Sequence, residues 1–376
     1  MPKTLTALAP VLFSAAQTVS NEPFGVVGAI TTDFDNKGVA RGDNVIVPVA
    51  PLRTASDFTP ANVASTGTDA IASNVTVTIS KSRKVDWHLT GEQIRSLDNG
   101  AEGAEWIRQM IAQGMRALRN EAEADAAAAI KVGASRAFGT AGTTPFASDL
   151  TAITNAYKIL RDNGAPMADL QLVMDTNAAL NIRNLSIFQQ AYAAGSDQER
   201  RTGVFGKQMG FSLYESAGVT THTKGTGASY VTSGSTAVRG TDIALVTGTG
   251  TVLAGDVVTF AADTTNKYVV GTGVTAPGTI SLNRPGARVT IPTANALTVG
   301  NNYTANVAFE RSAVVGVMRP PLVPANPTIQ QQLISDDMGM TYLLLDIAQY
   351  GQRTWELHLA WGFKVVQPEH VAIVLG

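Results

Sequence analysis

Gly103–Ile130, GAEWIRQMIAQGMRALRNEAEADAAAAI, decides how the rest of the chain is read. Its apolar residues fall at Trp106, Ile107, Met110, Ile111, Met115, Leu118, Ala122, Ala126 and Ile130. Steps of three and four place them on one stripe of a helix about seven turns long. Arg108, Arg116, Arg119, Glu121 and Glu123 take the other faces, and Arg119 and Glu123 have the i,i+4 spacing of an ion pair. Gly133 is placed to cap the helix end. A stripe this long needs a long partner, which a sheet can supply. The second decisive stretch, Trp355–Gly376 (WELHLAWGFKVVQPEHVAIVLG), reads as a pair of strands.

Upstream of the helix, Thr90-Gly91-Glu92-Gln93 has capping-box spacing and predicts a short helix, broken by Gly100 and Gly103. Asn74–Ser80 alternates, with Val75, Val77 and Ile79 on one face and Thr76 and Thr78 on the other, as in a half-buried strand. Val45–Val49 is a second short strand, and Arg53–Ser73 between them is polar. Residues 45–89 therefore read as a two-stranded excursion with little core, which needs something to lie on. Residues 1–44 read as an arm. Leu5–Ala16 is mildly apolar but interrupted by Pro10 and preceded by a single lysine, a poor export signal.

Downstream, residues 149–220 mix helix and strand. Asp149 or Ser148 caps a helix that ends at Asn163-Gly164, Leu170–Met174 is a buried strand, Asp175 caps a further helix, and Gly210–Glu215 is a strand. Residues 239–308 carry short strands at Ile243–Val246, Val257–Ala261, Tyr268–Gly271, Thr279–Leu282, Arg288–Ile291 and Ala305–Phe309. Their spacing of roughly 8–12 residues predicts a small barrel or sandwich inserted into the preceding domain. Ala313–Val317 resumes a buried strand; after a connector rich in proline between Pro320 and Pro327, Tyr342–Ile347 and Trp355–Phe363 complete the sheet and Val371–Leu375 is a final strand.

The chain has 376 residues, no cysteine and a net charge of −2. The length suits roughly two to three domains. Lack of cysteine excludes disulfides, thiolate nucleophiles and cysteine metal sites. The near-neutral balance gives no basic surface for wrapping nucleic acid. Charged residues are 15% of the chain, against roughly 25% in ordinary soluble domains. Either threonine-coated sheets or extensive burial against other subunits would explain that. No apolar run approaches the roughly 20 residues that span a membrane.

Catalytic signatures are wanting. Gly203-Val204-Phe205-Gly206-Lys207-Gln208 misses phosphate-loop spacing and has Gln where Ser or Thr binds magnesium. Gly248-Thr249-Gly250 reads as a turn between strands. His88, His222, His358 and His370 have no metal-ligand spacing. Arg41-Gly42-Asp43 reads as an ordinary turn, and Asn74 and Asn302 spell glycosylation sequons only. Lys81, Arg83 and Lys84 read either as a solvated strand end or as contacts to an acidic patch on a neighbour. With Trp87, Arg116 and Arg119 they form the candidate subunit-interface set. No catalytic, cofactor or metal residue is nominated.

The order of segments then carries a resemblance. An arm and loop end in SKSRKVDWHLTGEQI, followed by GAEWIRQMIAQGMRALRNEAEADAAAAIK, a helix–strand domain, a β insertion, NVAFERSAVVGVMRPPL and WGFKVVQPEHVAIVLG. This resembles the tailed-phage major capsid proteins with the HK97-type fold, most of all their P22-like coat protein branch, over essentially the whole chain. The resemblance implies an α+β fold: a long spine helix on a β-sheet, an axial α/β domain, an extended loop and an inserted small β-barrel. Residues 1–44 would be the N-terminal arm and 45–88 the extended loop over a neighbour. Residues 89–140 and 350–376 would be the peripheral domain, 141–238 and 309–349 the axial domain, and 239–308 the insertion. The implied function is a non-catalytic capsid subunit forming hexamers and pentamers of an icosahedral shell around phage double-stranded DNA. Implied partners are further copies of itself, a separate scaffolding protein, a portal protein, nonspecifically held DNA and decoration proteins, with no membrane and no cofactor. Assembly would take place in the bacterial host cytoplasm and the product would be the virion capsid. The alternatives are an encapsulin-like compartment and, in a different class, a β-rich surface or adhesion protein.

Overall fold

The computed structural model describes residues 22–35, 37–50, 73–99, 103–186, 206–324, 329–336 and 338–376, with single positions 55, 57, 58, 60 and 326. The arm before residue 22 and nearly all of the polar loop 53–73 lie outside the described residues. In chain order, α1 (Val26–Ala29) and β1 (Thr31–Asp33) precede a hairpin of β2 (Asn44–Val49) and β3 (Ser73–Thr78). Next come β4 (Lys81–Thr90), α2 (Gly91–Asn99), α3 (Gly103–Gly133) and β5 (Arg136–Phe138). They are followed by α4 (Thr151–Asp162), β6 (Leu170–Met174), α5 (Thr176–Asn184), β7 (Lys207–Gln208), β8 (Phe211–Glu215) and β9 (Thr221–His222). A run of short strands comprises β10 (Val231–Thr232), β11 (Asp242–Val246), β12 (Val257–Phe260), β13 (Asp263–Thr272), β14 (Gly278–Leu282) and β15 (Leu297–Val299). The last elements are β16 (Tyr303–Glu310), β17 (Val314–Arg319), β18 (Ile329–Ser335), β19 (Thr341–Gln349), β20 (Gln352–Val365) and β21 (Val371–Leu375).

The apolar stripe of α3 is covered by β20 and β4. Alternation along β20 turns Trp355, Leu357, Leu359 and Trp361 toward the helix, and Glu356 and His358 away from it. β4 runs antiparallel to β20 from Lys81 opposite Trp361 to Thr90 opposite Gln352. On the other edge of β20, β19 pairs with its first half and β17 with its second, while β18 and β1 extend the sheet. The capping box forms: Thr90 N–H donates to Gln93 Oε1 at 3.0 Å and Gln93 N–H to Thr90 Oγ1 at 3.4 Å. Residues 81–90 pair with β20 in this sheet, and Val85, Trp87 and Leu89 turn to α3. β17 and β19, within the stretch 309–349 that the resemblance implied to be axial, pair with β20 in this sheet.

A second sheet runs β5-β21-β16-β6-β8-β7. β16 and β21 are almost wholly buried because both faces are covered. Val307, Phe309, Val371, Ile373 and Leu375 face the core shared with α3, while Ala308, Ala372 and Val374 face Ile153, Ile159 and Leu160 of α4 and Ile182 of α5. The sequence reading put β21 under the long helix with β20, and β16 in the insertion. β21 does face the core under α3, and its other face packs on α4; it is apolar at every position, a pattern suited to two covered faces, and β16 lies beside it as a central strand and not in the insertion. Gly133, expected to cap the helix end, is the last helical residue and has no positive φ. Its missing side chain matters for packing: a Cβ would overlap Val365.

The short strands close on themselves. Pairing runs β10-β11-β14-β13-β12-β15. Leu297 N–H to Tyr230 O and Thr232 N–H to Asn295 O, both 2.9 Å, then join the two ends. Tyr230, Phe260, Tyr268, Ile243 and Ile280 fill the interior. β13 also pairs with β5, which fastens this module to the second sheet. The module begins before residue 239, since β10 is part of the ring. Arg288–Ile291, expected as a strand, makes an isolated bridge between Ile291 and Thr236, and Leu297–Val299 supplies the ring strand in its place.

Candidate assembly surface

β4 carries charge on both faces. Lys81 Nζ donates to Asp125 at 2.9 Å and Glu121 at 3.4 Å, and Arg83 Nε lies 2.9 Å from Glu121, both acids being on α3. The hydrogen bond to Asp125 raises the Lys81 pKa against the opposing effect of partial burial. On the opposite face Lys84 Nζ donates to Glu356 at 2.6 Å, which raises its pKa, and His358 Nε2 lies 3.0 Å from the same carboxylate. The acidic partners of all three basic residues thus lie within the same chain. Their side chains are still about half exposed and can meet a neighbour.

The other three candidates lie along the helix. Trp87 is buried opposite Trp355 and close to Gly114. Arg116 pairs with Glu22 and lowers that carboxyl's pKa, with Asn120 assisting. Arg119 is buried, its guanidinium 4.5 Å from the Phe24 ring centroid and 3.8 Å from Asp336. The expected pair between Arg119 and Glu123 does not form. Glu123 instead accepts from Val26 N–H at 2.6 Å, Val27 N–H at 3.0 Å and Ser216 Oγ at 2.6 Å. Helical spacing permits an i,i+4 pair but cannot see partners arriving from 90 or more positions away. Glu123 was assigned to a face away from the apolar stripe, and its place in the sequence next to Ala122 offers only a weak hint of burial.

Among the described residues, the β2–β3 hairpin packs on the body at its root. Val77 and Ile79 are buried against Val317 and Ala360, with Val45 and Val47 half-buried beside them. Gly362 is required at this crossing, since a Cβ would overlap the Thr78 carbonyl oxygen. Ile46, on the opposite face, is 62% exposed. Val45 pairs with Val77 and Val47 with Val75, so one face is a valine ladder. Two strands of this kind have little stability of their own.

The chain is similar to solved structures from phages. A structure from Mycobacterium phage Che8 aligns at 13% identity and TM-score 0.46 over 96% of this chain and 90% of that one. The capsid of the cyanophage P-SCSP1u aligns at 13% and 0.48 over 95% and 89%. The mature capsid of bacteriophage PhiM1 aligns at 11% and 0.47 over 93% and 86%. No protein-family model matches the chain, and no curated protein matches it.

The remaining sequence motifs resolve into local structure. Lys207 and Gln208 form β7, so no helix starts there to receive a phosphate, and residues 203–205 lie outside the described residues. His222 Nε2 is 2.8 Å from the buried Asp256, which also accepts from the N–H groups of Gly225 and Leu253. His370 is half-buried, and burial lowers its pKa. Among the described residues there is no cluster of three or more metal-ligating side chains, and no helix is long and apolar enough to cross a membrane.

Proposed function

We propose that this chain is the structural subunit of a phage-type icosahedral capsid with the HK97-type organisation. In that reading α3 is the spine helix, the second sheet with α4 and α5 is the axial domain, the ring of short strands is the insertion, and β2–β3 is the extended loop. Copies associate as hexamers and pentamers around double-stranded DNA, with a separate scaffolding protein and a portal protein, in the host cytoplasm. Catalysis has no part in it. The observation that carries the reading is the hairpin. Its root is firmly packed through Val77 and Ile79, while Val47 and Val75 are only half covered and Ile46 is exposed, so its outer part needs a surface that the described residues do not supply. A neighbouring copy supplies it, and the half-exposed Lys81, Arg83, Lys84 and Arg116 lie where such a copy would add contacts. Trp87 and Arg119 support that surface from inside.

The test is to shorten residues 53–73 and examine the protein, with its scaffolding partner, by negative-stain electron microscopy. Expected is a folded subunit that forms no closed particles. Wild-type yield of closed particles would refute the overlapping-loop role. Particle size in the wild type separates a phage capsid from a small compartment, and a stable monomer under all conditions would remove the shell reading altogether.

A further inference from the structure

Residues 22–30 are anchored along one face of α3. Glu22 meets Arg116 and Asn120, Phe24 lies on Arg119, and the N–H groups of Val26 and Val27 donate to Glu123. Val26, Val27, Ala29 and Ile30 are buried in the main core, so the anchor is fixed. The contacts advance from position 116 to position 123 of the helix as the chain advances from residue 22 to residue 27. The segment therefore runs in the same direction as α3, and the chain before Glu22 comes from the side of the helix N-terminus.

On that side α3 presents a groove of about 370 Å3. Among the described residues it is lined by Trp106, Arg108, Gln109, Met110, Ala112 and Gln113. Positions 109, 113, 116, 120 and 123 follow one another at steps of four and three, so the groove continues the face on which residues 22–27 lie. Its chemistry is mixed. Trp106 and Met110 are half-buried against the core and still offer apolar surface, while Gln109 and Gln113 are exposed amides. The sequence before the anchor suits such a surface. No charged residue occurs from Thr4 to Asn21, and Val11, Leu12, Phe13 and Val19 are apolar. From the level of Glu22 to that of Trp106 is about 18 Å along the helix axis. An extended chain covers this in about six residues. Val19 then falls half-way, beside Met110 and Gln113.

We propose that this groove is the docking site of the chain's own residues 11–21, with Val19 against Met110 and the apolar residues before it toward Trp106. The tether favours the chain's own segment over that of another copy. A short link to a fixed anchor holds the segment at an effective concentration on the order of millimolar. Once docked, it covers apolar surface on the first half of α3 as residues 22–27 cover the second half. The inference concerns the single chain and stands whether or not the chain forms a shell.

The test exploits the lack of cysteine. Val19→Cys is combined with Gln113→Cys in the groove, or with Thr220→Cys, an exposed position that lines a cavity with Glu22 away from the groove. Under mild oxidation the first pair is expected to close a disulfide within one chain about tenfold faster than the second, at a rate unchanged by dilution. Equal rates, or a disulfide found only between chains, would overturn the proposal. A second readout needs no cysteine. Removing residues 2–20 leaves the anchor in place and is expected to speed peroxide oxidation of Met110 severalfold, while Met209, 48% exposed on the turn between β7 and β8, serves as the reference. An unchanged rate at Met110 would equally sink the docking.

Discussion

β20 and the β2–β3 hairpin are built from the same period-two alphabet, and they end in opposite circumstances. In β20 the apolar set Trp355, Leu357, Leu359 and Trp361 meets the stripe of α3 and disappears. In the hairpin Val77 and Ile79 are buried at the root, while Val45, Val47 and Val75 are only partly covered and Ile46 stands in the open. Alternation therefore tells that a strand has one apolar face. It does not tell who covers that face. Where the cover comes from the same chain, the residue contributes to the stability of the subunit. Where it comes from elsewhere, the residue contributes to association.

Substitutions at the two sites test this division. The largest effect is expected in the body. Leu118→Ala, on the buried stripe, should cost about 3 kcal/mol in a denaturant titration, through lost transfer energy and a residual cavity. A cost below about 1 kcal/mol would mean that the helix is not pressed against its sheet as described. At the junction of the two regions, Gly362→Ala should cost about 2 kcal/mol, since the added methyl meets the Thr78 carbonyl and not a yielding side chain. Faster amide exchange should then appear in β3 before it appears in β20. Loss of protection along β20 first would place the hairpin root elsewhere. Lys81→Ala should cost less than about 1 kcal/mol and less still in high salt, because this ion pair is partly exposed. Ile46→Ser should change subunit stability by less than about 0.5 kcal/mol and yet reduce particle formation. If it unfolds the subunit instead, the hairpin face is covered from within and the comparison fails.

Much of the local structure was legible. The step pattern from Trp106 to Ile130 identified α3, Thr90 and Gln93 marked the start of α2, and Asp175 the start of α5, where its carboxylate accepts from the N–H groups of Asn177 and Ala178. Sheet membership was legible only in part. Tyr303–Glu310 reads as one more short strand after a series of them, yet it pairs with β21 and β6 in the other sheet. Tyr342–Ile347 was read into one sheet with Trp355–Phe363, and β19 does pair with β20, but the place of Val314–Arg319 on the same edge of β20 carried no local signal. Pairing is a contest among distant strands, and the local pattern carries the candidates but not the winner. The same limit applies to charge. Arg119 and Glu123 look like partners by spacing, and each is taken by a residue from a remote part of the chain.

The place of β21 has a consequence in time. This strand sits between β5 and β16, and Ser135 Oγ donates to Val371 O across 236 positions of sequence. Closing a loop of that span is slow compared with forming a helix or a hairpin. The centre of the second sheet is therefore expected to come together after the local elements on either side have formed. Until then β5 and β16 each have an edge open to whichever strand arrives first. At high concentration that strand can belong to another molecule. Crowded synthesis should thus yield aggregates seeded at these two edges, and cooling or dilution during expression should favour the correct closure.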